Sequence, residues 1–268
     1  MRLGILLFVL AAASTAASPP TTTTVIRSGI SLKATLAGRS FILNEVFLNG
    51  AGPFRMLLDT GNATSIVRPR VARRLNLKPS YALEQATAAQ TRRVPVAILD
   101  EVRTEGVIDR SVEAIVGDVY QNGVDGVLGA SWLVRHDYLL DYRNSRIVLD
   151  GPPEDSGTRV PLRCTDGRPV VVALIDGRTE EFVVDSGSSA VVVYEKLSAA
   201  GVMVQIDTNE GSTPAQKFTA RLAFPGGRDY VMGAVRVDVH GLGPGLLPAS
   251  AFGSVFVSNR QGYVEFRR

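Results

Sequence analysis

The chain has one cysteine, Cys164, so no internal disulfide can form and stability must come from packing. That thiol reads as a core or surface bystander rather than a nucleophile. There are two histidines, His136 and His240, each with an aspartate close in sequence, Asp137 and Asp238. Neither stands in a zinc-ligand spacing and no H-E-x-x-H occurs, so both read as structural or surface groups and no metal is expected. The G-x-S-x-G elbow of serine hydrolases is missing, because Gly129-Ala130-Ser131-Trp132-Leu133 lacks the final glycine. No basic block stands out against a formal charge of +3, so nucleic acid is not the implied partner. Nor is stable membrane insertion expected: the apolar run from Leu3 to Ala13 falls short of the roughly 20 residues that span a bilayer.

Arg2, that apolar run and the small-residue stretch Thr15-Ala16-Ala17-Ser18 have the layout of a cleaved secretory signal, ending most plausibly at Ala17. A periplasmic or secreted location is therefore expected. Residues 18–28, rich in Pro and Thr, read as a disordered tail. With 45% apolar residues, the remainder can bury a core, as one large β domain or two small ones.

One stretch occurs twice. Phe54 to Val67, F-R-M-L-L-D-T-G-N-A-T-S-I-V, is echoed by Glu180 to Val193, E-E-F-V-V-D-S-G-S-S-A-V-V-V. Each copy runs from an apolar strand into Asp, a hydroxyl residue and Gly, then into a second apolar run. A carboxyl at the buried end of a strand costs several kcal/mol unless it is hydrogen-bonded or shares a proton with another acid. Two such carboxyls in similar units imply that they meet. Each alone could merely cap its own turn; the matched context argues against that.

The flanks repeat as well. Ile30 to Leu36 and Phe41 to Leu48 read as strands, the latter ending in the hairpin signal Asn49-Gly50. Val170 to Ile175, the turn Asp176-Gly177 and Phe182 to Val184 repeat the plan. Short helices are predicted over Pro69 to Leu75, opened by proline, and over Tyr194 to Ala200, stopped by Gly201. Asp125 to Leu133, with Trp132 as a core residue, matches Pro244 to Phe252. A terminal strand follows each, Tyr138 to Leu149 and Val255 to Phe266. The polar, breaker-rich stretch from Gly151 reads as a linker.

Asp59-Thr60-Gly61 and Asp185-Ser186-Gly187 in these settings resemble the paired active-site loops of aspartic proteases, and the likeness extends over about Ile30 to Arg268. Lobes of this size are closer to the compact retropepsin-like unit than to the longer pepsin lobes. The chain resembles a bacterial periplasmic retropepsin-like protease with both halves fused. The resemblance implies an all-β fold of two pseudo-twofold-related β-barrel lobes with short helices. The expected division is a signal at 1–17, a tail at 18–28, lobes at 29–150 and 159–268, and a linker at 151–158. It also implies an apolar-apolar-Gly segment under each loop. Val127-Leu128-Gly129 fits this, whereas Leu246-Leu247-Pro248 puts proline in place of glycine and removes an amide donor.

By the same resemblance Asp59 and Asp185 are the catalytic pair. Thr60 and Ser186 bond across to the opposite loop's backbone. Gly61 and Gly187 let their amides approach the carboxylates. Ser188 stands where a small hydroxyl residue contacts the acid, and Asn62, at the matching place, departs from that. At an effective dielectric near 20, two full charges about 3 Å apart repel by roughly 5 to 6 kcal/mol, about 4 pK units, so one proton is shared. The ionised member activates water and the protonated member donates to the scissile carbonyl. No cofactor is needed. A flap over the cleft is expected within Gln85 to Val94 or Asn209 to Pro214. The expected function is an exported aspartic endopeptidase acting on protein or peptide and monomeric through its internal pseudo-twofold. The alternative is a peptide- or protein-binding module of the same fold without turnover.

Overall fold

A computed structural model describes residues 29–86, 91–119, 121–153, 157–198, 201–208, 211–225, 227, 229–239 and 243–268. The expected signal and tail, the tips of both flap candidates (87–90 and 209–210), linker residues 154–156 and His240 lie outside them.

The sequence predicts one strand over Ile30 to Leu36. The structure splits it at Lys33 into β1 (Ile30–Leu32) and β2 (Ala34–Ala37), which join different sheets. There follow β3 (Ser40–Leu48), β4 (Ala51–Leu58), β5 (Ser65–Val67), helix α1 (Pro69–Arg74), β6 (Tyr81–Ala86), β7 (Thr91–Thr104) and β8 (Val107–Val116). β9 (Gly126–Leu128), helix α2 (Ala130–Leu133), β10 (Tyr138–Asp141) and β11 (Arg146–Leu149) complete the first half. The second half holds β12 (Thr158–Pro161), β13 (Arg163–Thr165), β14 (Arg168–Ile175), β15 (Arg178–Asp185), β16 (Val191–Tyr194) and β17 (Val202–Thr208). It ends with β18 (Gly211–Ala223), β19 (Asp229–Val237), β20 (Gly245–Pro248), a 3-10 turn (Ala249–Ala251), β21 (Ser254–Ser258) and β22 (Tyr263–Arg267).

The first lobe is an eight-stranded sheet ordered β2-β3-β4-β9-β5-β8-β7-β6, curled so that β3 also pairs with β7. The second is the same sheet with every strand eleven places later, β13-β14-β15-β20-β16-β19-β18-β17, closed by β14 on β18. A third sheet, β1-β11-β10-β21-β22-β12, joins the halves, with Tyr138 opposite Val257 and Asp141 opposite Ser254 at the seam. The chain is thus nearly all β and two-lobed.

Local chemistry explains the hairpins that carry the loops. Asn49 and Gly50 both take positive φ, 48° and 77°, as do Asp176 and Gly177, at 48° and 84°. That is the mirror-image turn whose twist matches the strands it joins. The central strands are apolar without a break because both faces are buried. Met56, Leu58, Val67 and Leu128 face the main core, while Leu57, Ile66 and Val127 face a second cluster with Val96 and Ile115.

Three expectations need correction. No helix forms over residues 194–198, and residues 199–200 lie outside the described ones. Tyr194 ends β16 opposite Val237. Gln216 then clasps Ser198, accepting from its amide at 3.0 Å and donating to its carbonyl at 2.9 Å, so those backbone groups are taken up without a helix. Each predicted terminal strand is a hairpin, because Asp141 collects Asn144 and Arg146 into a turn and the amide of Gly262 donates to Ser258 O. Finally, the expected linker at 151–158 runs into the second lobe's first strand: Gly157 N donates to Glu265 Oε1 at 3.1 Å and β12 begins at Thr158.

Pro248 leaves the closure of the second lobe unchanged. β20 runs parallel to β15 as β9 does to β4. In the first lobe Gly129 N donates to Ser65 Oγ at 3.1 Å. The register puts Val191 where Ser65 stands, each opposite an alanine. The second lobe therefore lacks both the donor and the hydroxyl that would receive it.

Candidate active site

Asp59 directly follows β4 and Asp185 ends β15, each delivered by a strand buried on both sides. Each residue is 7% exposed, and the two carboxyl groups are neighbours that act on one another's ionisation.

Thr60 and Ser186 hold the loops together. Thr60 N donates to Ser186 Oγ at 3.1 Å and Ser186 N to Thr60 Oγ1 at 2.9 Å. The hydroxyls pass on to the strand carbonyls, Thr60 Oγ1 to Val184 O at 2.6 Å and Ser186 Oγ to Leu58 O at 2.9 Å. All four donors are satisfied in a region closed to water, where leaving one unpaired costs about 1 to 3 kcal/mol. This is the cross-bonding expected of these residues.

The glycines are required by proximity. A Cβ on Gly61 would lie 2.5 Å from Asp185 Cγ, and one on Gly187 would lie 2.8 Å from Asp59 Cγ. Each glycine therefore packs against the opposite acid while serving its own, Gly61 N to Asp59 Oδ1 at 2.9 Å and Gly187 N to Asp185 Oδ1 at 2.7 Å.

Beyond this the loops differ. Asn62 Nδ2 donates to Asp59 Oδ2. Ser188 gives Asp185 its amide, at 3.2 Å, but turns its hydroxyl to Ala190 O at 2.8 Å, which corrects the expected hydroxyl contact. Burial pushes both carboxyls above the usual range. Asp185 rises further because the Asp59 charge lies beside it, while the donors from Gly61 and Asn62 relieve Asp59. The donors therefore favour a charge on Asp59 over one on Asp185.

Sequence reasoning missed a second polar cluster where the halves meet. His136, read as structural or surface, is buried with Nε2 2.8 Å from Asp109 Oδ2 and Nδ1 2.9 Å from Asp150 Oδ2. Trp132, a core residue as expected, donates from Nε1 to the same Asp109 oxygen at 2.7 Å. Burial alone would lower the His136 pKa, but the two carboxylates outweigh it and raise it. From the other half Asn259 donates to His136 O at 2.6 Å, and Arg260 pairs with Asp150. Only Asp137, next to His136 in sequence, hinted at such a site, and it serves the amide of Arg260 instead. Cys164 is exposed.

Hairpins β6–β7 and β17–β18 occupy matching places in the two lobes and contain both flap candidates. Among the described residues no group of His, Cys, Asp and Glu side chains is arranged to hold a metal ion. No helix among them is long and apolar enough to cross a membrane.

A sequence family described as gag-polyprotein putative aspartyl protease matches residues 44–135, the part of the first lobe that carries Asp59. No curated protein matches the chain. Among solved structures, the crystal structure of Basic 7S globulin from soybean aligns with a TM-score of 0.55, covering 90% of this chain and 95% of that one at 11% identity, a likeness of fold alone. Together with the duplicated lobes, these matches show that the chain has the retropepsin- and pepsin-like aspartic protease fold, with both lobes in one polypeptide.

Proposed function

We propose that the protein is an aspartic endopeptidase, with Asp59 and Asp185 as the catalytic pair. The observation that carries this reading is the meeting of two buried carboxyls on twofold-related, cross-bonded loops, each packed against the opposite loop's glycine. Asp59, ionised, takes a proton from water as that water attacks the scissile carbonyl. Asp185, protonated, donates to the carbonyl oxygen, giving a tetrahedral diol with no covalent bond to the enzyme. The proton then held by Asp59 passes to the leaving amine as the C–N bond breaks. Asn62 and Gly61 hold Asp59 in its charged form at the start of the cycle. Because one chain carries both halves of the site, the proposed enzyme acts as a monomer on extended peptide. The signal-like segment at 1–17 supports export.

A second reading, a peptide-binding module without turnover, is favoured by the Asn62 amide, which occupies an Asp59 oxygen that must receive the water proton. Cleavage of a peptide library by purified protein, with Asp59→Asn and Asp185→Asn as controls, decides between them. The peptidase reading expects cleavage with an optimum between acidic and near-neutral pH, abolished by either change. Cleavage that survives both unaltered, or a profile centred well above pH 8, overturns it.

A further inference from the structure

Beside the second Asp loop lies a recess of about 440 Å³ that the proposed chemistry does not use. Ser189 and Ala190, four and five residues beyond Asp185, form one wall. Arg39 enters from the β2–β3 turn of the other lobe and Lys217 from β18, with Met232 and Val235 supplying apolar surface. No carboxylate lines it. Arg39 makes one bond, Nη1 to Ser189 O at 3.2 Å, and among the described residues neither it nor Lys217 has an acidic partner. Ser250 is also in the lining, with its Oγ buried and without a hydrogen-bond partner among the described residues. Two cations without acidic partners at one recess that no carboxylate lines are donors for an anion.

The twofold-related turn shows what neutralisation looks like. There, Arg168 is held by its own loop, Nε to Thr165 O at 3.4 Å and Nη2 to Asp166 Oδ2 at 3.5 Å. The register sets Gly38 where Asp166 stands and Arg39 where Gly167 stands, so the first turn carries an arginine with no acid of its own.

We propose that this recess is a substrate subsite for a carboxylate side chain, Asp or Glu, of the peptide to be cleaved, with Arg39 and Lys217 as its specificity residues. The proposal rests on the peptidase reading and has its own readout. A positional peptide library is digested by the unaltered protein and by Lys217→Glu, Lys217→Arg and Arg39→Glu. The expected result is a preference for Glu over Gln of about ten-fold at one position, the scale of a charge-assisted hydrogen bond. Lys217→Arg should keep it, while Lys217→Glu and Arg39→Glu should abolish it or reverse it toward Lys at that position alone. Cleavage without acidic preference, or a preference that survives both reversals, overturns the subsite and leaves the peptidase reading intact. If nothing is cleaved, the peptidase reading falls, and retention of Glu against Gln peptides on immobilised protein is read instead. Selective retention lost in Lys217→Glu then upholds an anion-binding recess, and equal retention refutes it.

Discussion

Asn62 donates its side-chain amide to Asp59 Oδ2, whereas Ser188, three residues beyond Asp185 as Asn62 is beyond Asp59, turns its hydroxyl away to Ala190. The twofold that relates the backbones does not relate the electrostatics of the two acids. Asn62 favours the charged form of Asp59 and so lowers the pH at which the dyad becomes singly ionised. In Asn62→Ala the acidic limb of the kcat/KM profile should move up by about one unit, the usual size of a lost hydrogen bond to a carboxylate. An unmoved limb would show that the amide only shapes the loop.

Asp185→Asn and Asp59→Asn should each lower kcat by about 10³-fold or more while the protein stays folded, as removal of a general acid or base does. Removing an acid whose ionisation burial already penalises also predicts that neither change lowers the urea midpoint at pH 7. Equal activity and a lower midpoint would place both acids in a structural role.

Thr60→Ala removes one hydroxyl from the cross-bonded ring, leaving Ser186 N without its acceptor and Val184 O without its donor. The expected cost is about 2 to 4 kcal/mol by denaturant unfolding, with Thr60→Ser close to neutral. A loss in Thr60→Ser equal to that in Thr60→Ala would assign the effect to the methyl group.

His136 links stability to pH. Its pKa is raised in the folded protein, so its stabilisation is complete below the unfolded value of about 6.5 and is lost as pH rises through the folded value. Asp109 has the opposite sense: lowered in the folded state, it stabilises above about pH 3.9 and is lost as pH falls through its folded value. Between pH 6 and pH 9 the urea midpoint should therefore fall in the unaltered protein and fall less in His136→Gln. Parallel losses in the two would remove His136 as the cause.

Legibility in the sequence followed the range of the interactions. The hairpin turns and the Asp loops rest on adjacent residues, so Asn49-Gly50 and the two Asp-hydroxyl-Gly triplets could be read directly. The helix expected over Tyr194 to Ala200 failed because Gln216, distant in sequence, takes up the backbone of Ser198. The His136 cluster was invisible for the same reason, since its partners Asp109 and Asp150 lie 27 and 14 residues away. The terminal hairpins were misread as single strands because their turns carry no Asn-Gly or Asp-Gly pair. Pro248 looked like an obstacle only until the register showed that Val191 asks nothing of it.

In the sheet that joins the halves, β1, β10 and β11 come from the first half, β12, β21 and β22 from the second, and among the described residues β10 on β21 is the single strand pairing between them. An assembly of two identical subunits must repeat every residue on both sides of its axis. Here covalent continuity lifts that obligation, so one side is free to specialise while the other keeps its original chemistry. Asn62 against Ser188, Gly129 against Pro248 and Arg39 against Gly167 are the marks of that freedom.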